Sequence, residues 1–249
     1  MSLLARVYGQ IRQFIRSYEH FHGKVQPSRC RNMVTFTCAF ACLAAAWLAV
    51  HSPAAMAQDR PVKIVALGDS LTAGYGLLAG DAFPVKLAAA LKAKGVATQI
   101  VNAGVSGDTA SGGLDRLDWA VSDDTDAVIL ELGANDALRG LDPKITRKAI
   151  DTMVKKLTDR RIPVLLCGML APPNLGNEYG KAFNSIYADV AKTHNVLLYP
   201  FFIDGIVTNP RLNQRDGLHP TAEGVDVIVQ KILPSVEQLI ARAKARRNS

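Results

Sequence analysis

The chain has 249 residues, 49% hydrophobic and 20% charged, proportions that suit one well-packed globular domain, two at most, and leave no low-complexity class open. Its net charge of +7 is no sign of nucleic-acid binding, because six of the 29 basic residues and one of the 22 acidic ones fall in the first 57 positions. The remainder carries 23 basic against 21 acidic residues, and Arg242, Lys244, Arg246 and Arg247 crowd the last eight positions. A basic tail of that kind is a solvated helix end, so nucleic acid is not expected as a partner.

In chain order, the first feature is the apolar run Met33 to Val50, preceded by Arg29 and Arg31 and followed by Ala55 and Ala57 in an A-x-A pattern. That order predicts a secretory signal within residues 1–57, cut after Ala57, and a periplasmic or secreted mature chain. The competing reading is an uncleaved anchor, since 18 residues approach the length that spans a bilayer. After cleavage no stable membrane span is expected. Cys30, Cys38 and Cys42 leave with the leader, so Cys167, in the apolar run "PVLLCGML", has no partner for an internal disulfide and reads as a buried bystander.

From residue 58 to 249 a single domain is expected, with short apolar runs alternating with helical patterns. Strands are predicted at Val62–Leu67, Thr98–Asn102, Ala127–Leu132, Pro163–Met169 and Val196–Tyr199. Helices are predicted at Phe83–Lys94, Leu114–Val121, Asp142–Arg160, Tyr179–His194 and from Thr221 to about Ala245. In the third of these, Ile145, Ala149, Ile150, Met153, Val154 and Leu157 form one stripe at the 3.6-residue period. Near-continuous apolar strands predict a parallel sheet covered on both faces, an α/β, doubly wound, three-layer sandwich with right-handed crossovers. In such sheets ligands gather at the carboxyl ends of the strands, where chemistry is to be sought.

Four polar, glycine-containing segments fall on that edge: "GDSLTAGYG" (Gly68 to Gly76), "NAGVSGDT" (Asn102 to Thr109), "GANDALRG" (Gly133 to Gly140) and "DGLHP" (Asp216 to Pro220). Ser70 in the first is either a nucleophile or a helix cap, and Ser106 in the second is another candidate nucleophile. A serine nucleophile needs a histidine base oriented by a carboxylate. Outside the leader only His194 and His219 remain. His194 ends a helical pattern, where a cation suits the C-terminus; His219 has Asp216 three residues before it, close enough to orient the imidazole within one turn. Asn135 has an amide donor for a developing oxyanion, and Gly107 can bring its backbone N–H near a ligand, although both also fit ordinary turns.

With these four segments in this order at the strand ends, the chain from Val62 to Ile240 resembles the GDSL, or SGNH, hydrolases, and within them the bacterial periplasmic acyl-CoA thioesterase I/lysophospholipase and arylesterase branch. The resemblance implies a flavodoxin-like, five-stranded parallel sheet with Ser70 as nucleophile and Asp216 and His219 completing the triad. It also implies an oxyanion hole made by the Ser70 N–H, Gly107 and Asn135. Ala134 departs from the pattern, many relatives having glycine there, which bears on specificity by narrowing the acyl pocket.

The expected reaction is hydrolysis of a small acyl ester or thioester through an acyl-serine, by a monomer with neither cofactor nor metal. H-E-x-x-H, paired C-x-x-C and phosphate-loop patterns are all missing from the sequence. Two alternatives are deacetylation of an acetylated carbohydrate or envelope polymer and a non-catalytic ligand-binding module. The segment Leu170 to Gly180 is either part of the acyl pocket or a plain connection.

Overall fold

In the computed structural model, residues 60–248 are described. The expected secretory leader and its expected cleavage after Ala57 lie outside them. The described residues form fifteen elements. In chain order they are β1 (Val62–Gly68), α1 (Ser70–Ala73), α2 (Phe83–Ala93), β2 (Thr98–Gly104), α3 (Ala110–Asp115), α4 (Leu117–Ala120) and β3 (Ala127–Glu131). Then come α5 (Ala134–Leu138), α6 (Pro143–Asp159), β4 (Val164–Cys167), α7 (Asn177–His194), β5 (Leu197–Tyr199) and α8 (Ala222–Arg247), with short 3₁₀ turns at Ala79–Asp81 and Pro173–Leu175.

The strands form one parallel sheet in the order β2-β1-β3-β4-β5. The chain steps one way from β1 to β2 and the other way from then on. Right-handed crossovers therefore put α2 on one face and α3, α6 and α7 on the other. The packing agrees: α8 returns against α2, while α6 packs on α3 and α7. The reversal of strand order lies between β1 and β3, so the segments following those strands, which begin with Asp69 and Leu132, open into the same crevice.

Burial explains which runs became strands. β1, β3 and β4 are buried almost throughout, as central parallel strands must be. β2 departs from that expectation, because as an edge strand it has only β1 beside it and its residues alternate between half-buried and exposed. One core runs through the sheet and both helical layers, with Phe83 and Phe202 edge to face at 5.0 Å between ring centres.

Two predicted helical features change. The helix expected over Leu114–Val121 is two short helices that meet at Arg116, and Ile145, placed on the apolar stripe of α6, is half-exposed while the rest of the stripe is buried. The one-turn helices α1 and α5 are too short to carry a period.

Candidate active site

Gly68 ends β1, and the chain turns at once into α1. The cap of that helix is Asp69, whose Oδ1 accepts the Leu71 N–H at 3.0 Å. Ser70 is therefore released from capping. Its Oγ lies 2.9 Å from His219 Nε2.

His219 is held from three sides. Its Nδ1 is 2.7 Å from Asp216 Oδ2, while Asp216 Oδ1 accepts the backbone N–H groups of Leu218 and His219 at 2.9 and 3.0 Å. The His219 contact, followed by those two N–H groups, holds the Asp216 carboxyl down at about 2. Tyr75 lies against the imidazole, ring centres 4.6 Å apart. Gln214 fixes both loops: its Nε2 donates to Tyr75 O at 2.7 Å and Pro220 O at 2.9 Å, and its backbone N–H donates to His219 O at 2.7 Å.

The donors come from the ends of β2 and β3. Gly107 has φ +87°, a conformation that favours glycine, and its carbonyl accepts from Arg139 Nη2 at 2.8 Å. Asn135 lies in α5, where its Nδ2 donates to Asp69 Oδ2 at 3.2 Å and to Asp108 O at 3.0 Å. The turn into α5 needs Gly133: at φ +114° a side chain is strained, and a Cβ would meet the Tyr187 hydroxyl, which donates to Leu132 O. Buried Arg116 joins the strand ends. Its Nε pairs with Asp108 Oδ2 at 2.6 Å, Nη1 donates to Ala103 O at 2.7 Å and Nη2 to Gly68 O at 2.8 Å.

Beneath the serine, two carboxyl groups are fully buried, Asp69 and Glu131. Glu131 Oε2 accepts from Thr72 Oγ1 at 2.8 Å and from the Asp69 N–H at 3.3 Å. Burial pushes Glu131 well above the usual carboxyl range, helped by the charge of Asp69. Burial also raises Asp69, to about 6, against the opposing Leu71 N–H and Asn135 amide.

The five sequence candidates thus occupy one edge, with Ser70, His219 and Asp216 in a hydrogen-bonded line. The alternatives have other partners. His219 Nε2 faces Ser70 rather than exposed Ser106, and His194 Nε2 bonds Asp151 Oδ1 at 2.8 Å, tying α7 to α6. Cys167 is buried, and burial raises its thiol far above the usual value. Ala134 is half-buried against the core. The loop after β4 is anchored by Ala171 N–H on Asn184 Oδ1 at 2.8 Å and leaves Leu170 half-exposed.

Sequence reasoning missed Tyr75, Gln214, Arg116, Glu131 and the bonding role of Asp69. Only Glu131 carried a signal, an acidic residue inside the run "AVILEL" of a central strand. Among the described residues no group of three or more His, Cys, Asp or Glu side chains is placed to hold a metal, and no helix is long and apolar enough to cross a membrane.

Comparison with known proteins gives the family of the chain. The chain is 38% identical over 168 residues to the arylesterase of Vibrio mimicus, covering 67% of this chain and 84% of that protein. It is 34% identical over 178 residues to thioesterase 1/protease 1/lysophospholipase L1 of Escherichia coli K12, covering 71% of this chain and 84% of that one. The crystal structure of AlinE4, an SGNH-hydrolase family esterase, superposes with a TM-score of 0.61 at 43% identity, over 72% of this chain and 96% of AlinE4. Residues 66–227 match the GDSL-like lipase/acylhydrolase family, and with the parallel α/β sheet described above this chain belongs to that family of SGNH hydrolases.

Proposed function

We propose that the protein hydrolyses small acyl esters and thioesters through an acyl-serine on Ser70. The observation that carries this reading is the line Asp216–His219–Ser70, with links of 2.7 and 2.9 Å. Asp216 accepts a hydrogen bond from His219 Nδ1–H and so keeps the proton on Nδ1, which leaves Nε2 as the lone-pair atom facing Ser70. As Ser70 Oγ attacks the acyl carbonyl, His219 takes its proton, and the Ser70 N–H, Gly107 N–H and Asn135 amide receive the oxyanion. The imidazolium then protonates the leaving alcohol or thiol. Water, deprotonated by His219, attacks the acyl-serine and releases the acid.

Relatives named arylesterase and thioesterase/lysophospholipase support the ester and thioester classes. So do the exposed apolar side chains of Tyr75, Val105 and Leu218, each on a segment that carries a site residue. The leader pattern supports export to the periplasm or medium, with a working domain from residue 58 onward. The test is Ser70→Ala in the protein starting at Gln58. Hydrolysis of p-nitrophenyl acetate and octanoate should fall to background, and a fluorophosphonate probe that labels the wild type should not label the variant. Full activity in Ser70→Ala overturns the assignment.

A further inference from the structure

Of the four fully buried carboxyl groups, Asp69, Asp126, Glu131 and Asp136, two meet next to Ser70 with no task in the reaction above, Asp69 and Glu131. Asp69 follows β1, and Glu131 ends β3 in register with Gly68. Their supply of donors is unequal. Asp69 receives the Leu71 N–H on Oδ1 and the Asn135 amide on Oδ2. Glu131 takes both of its donors, Thr72 Oγ1 and the Asp69 N–H, on Oε2. Its Oε1 is the one buried side-chain polar atom among the described residues that no donor reaches.

Two neighbouring anions out of water cannot both persist. Glu131 Oε2 accepts the Asp69 N–H at 3.3 Å, which brings the two residues together, and two carboxylates, being acceptors only, can hydrogen-bond to each other only if one carries a proton. The donors decide which one. Asp69 has an N–H and an amide to favour its anion, whereas Glu131 combines complete burial with an orphan oxygen that a proton would satisfy.

We propose that Glu131 is the acid of a carboxylic acid–carboxylate pair, donating its proton to Asp69, and that Asp69 is the positioning residue that holds the Asn135 amide at the oxyanion site. The second half rests on the oxyanion role given to Asn135 above. That amide has two hydrogens and two acceptors, Asp69 Oδ2 and Asp108 O. A developing oxyanion is a stronger acceptor than the neutral Asp108 carbonyl and takes the hydrogen directed there. The ionised Asp69 keeps the other hydrogen and so prevents the amide from swinging with its new partner. Glu131 locks Asp69 in turn, and the pair carries a single negative charge.

The experiment combines an infrared measurement with a mutant cycle. At neutral pH the wild type should show a carboxylic-acid C=O band, distinct from the carboxylate bands, that disappears in Glu131→Gln. Glutamine keeps a neutral donor opposite Asp69 and an acceptor for Thr72, so kcat in that variant should stay within about threefold of wild type. Asp69→Asn cannot accept on two oxygens. Its kcat should fall on the order of tenfold or more with KM within about twofold, since a group acting only in the transition state alters kcat. Asn135→Ala should fall on the order of a hundredfold, and adding Asp69→Asn to it should cost no more than about a further twofold, because Asp69 acts through Asn135.

Multiplying effects in the double variant overturn the positioning role, even where melting curves show some loss of stability. A spectrum without the acid band, or a band that survives Glu131→Gln, overturns the proton assignment. Full activity in Asn135→Ala would instead overturn the oxyanion assignment, and the positioning role with it, while the infrared result still decides where the proton sits.

Discussion

At the scale of single residues, the site depends on which oxygen meets which hydrogen. Asp216 is the clearest case, because its two oxygens have separate tasks: Oδ1 closes the turn onto the N–H groups of Leu218 and His219, and Oδ2 faces the imidazole. Asp216→Asn keeps the turn through its remaining oxygen but presents an amide N–H₂ to Nδ1. The proton is then forced onto Nε2, where it blocks the base. We expect kcat to fall on the order of a thousandfold or more with little change in melting temperature, a split read by pairing kinetics with thermal melts. The Asp216–His219 relation was legible from three-residue spacing because both partners lie in one turn. The release of Ser70 from capping was not: serine and aspartate both cap well, and only the Leu71 N–H on Asp69 decides between them.

At the scale of elements, the break between α3 and α4 positions the oxyanion loop. A continuous helix over Leu114–Val121 satisfies the local pattern, yet the chain bends at Arg116, whose guanidinium joins the ends of β1 and β2 to Asp108. Charge completion and two carbonyl acceptors favour the bend over another helical turn. Arg116→Met fills similar space without donors and leaves Asp108, itself mostly buried, without its cation. We expect a loss of about 2–3 kcal/mol in urea unfolding. Turnover should fall as well, because the loop that carries Gly107 loses its anchor. The sequence could not reveal this anchor, since its acceptors come from residues 13 and 48 positions away.

At the scale of the whole molecule, the two ends of the described chain are fastened to one buried carboxylate. Asp126, immediately before β3, pairs with Arg60 at 2.8 Å, with Arg247 near the end of α8 and with the Lys63 N–H at 2.8 Å. Burial alone would raise its carboxyl, but the Arg247, Lys63 and Arg60 bonds outweigh it and hold it at about 2. A carboxyl lowered on folding adds stability above its unfolded value of about 3.9, and that stability is lost as pH falls toward 2. Asp126→Asn should therefore cost about 1–2 kcal/mol at neutral pH, after allowance for the solvent around Arg60, and the gap to wild type should close on acidification. Unfolding curves at a series of pH values check this. Three of the four basic residues of the tail are thus bonded within the fold, Arg242 to Asn195 O, Arg246 to Arg161 O and Thr125 O, and Arg247 to Asp126, where composition alone assigned the tail to solvent.

The order of residues alone carries the alternation of strands and helices, the single sheet edge on which four polar segments converge, and the pairing of Asp216 with His219. Those features depend on periodicity and on neighbours within a few residues, which the order of residues states directly. Packing in three dimensions settles that Asp69 rather than Ser70 caps α1, that Arg116 breaks a helix to join two strands, and that Glu131 and Asp69 are buried together beneath Ser70. The first turns on a bond two residues long for which either side chain is competent; the other two depend on strands β1, β2 and β3 lying side by side, which brings residues 13 to 62 positions apart within hydrogen-bonding distance.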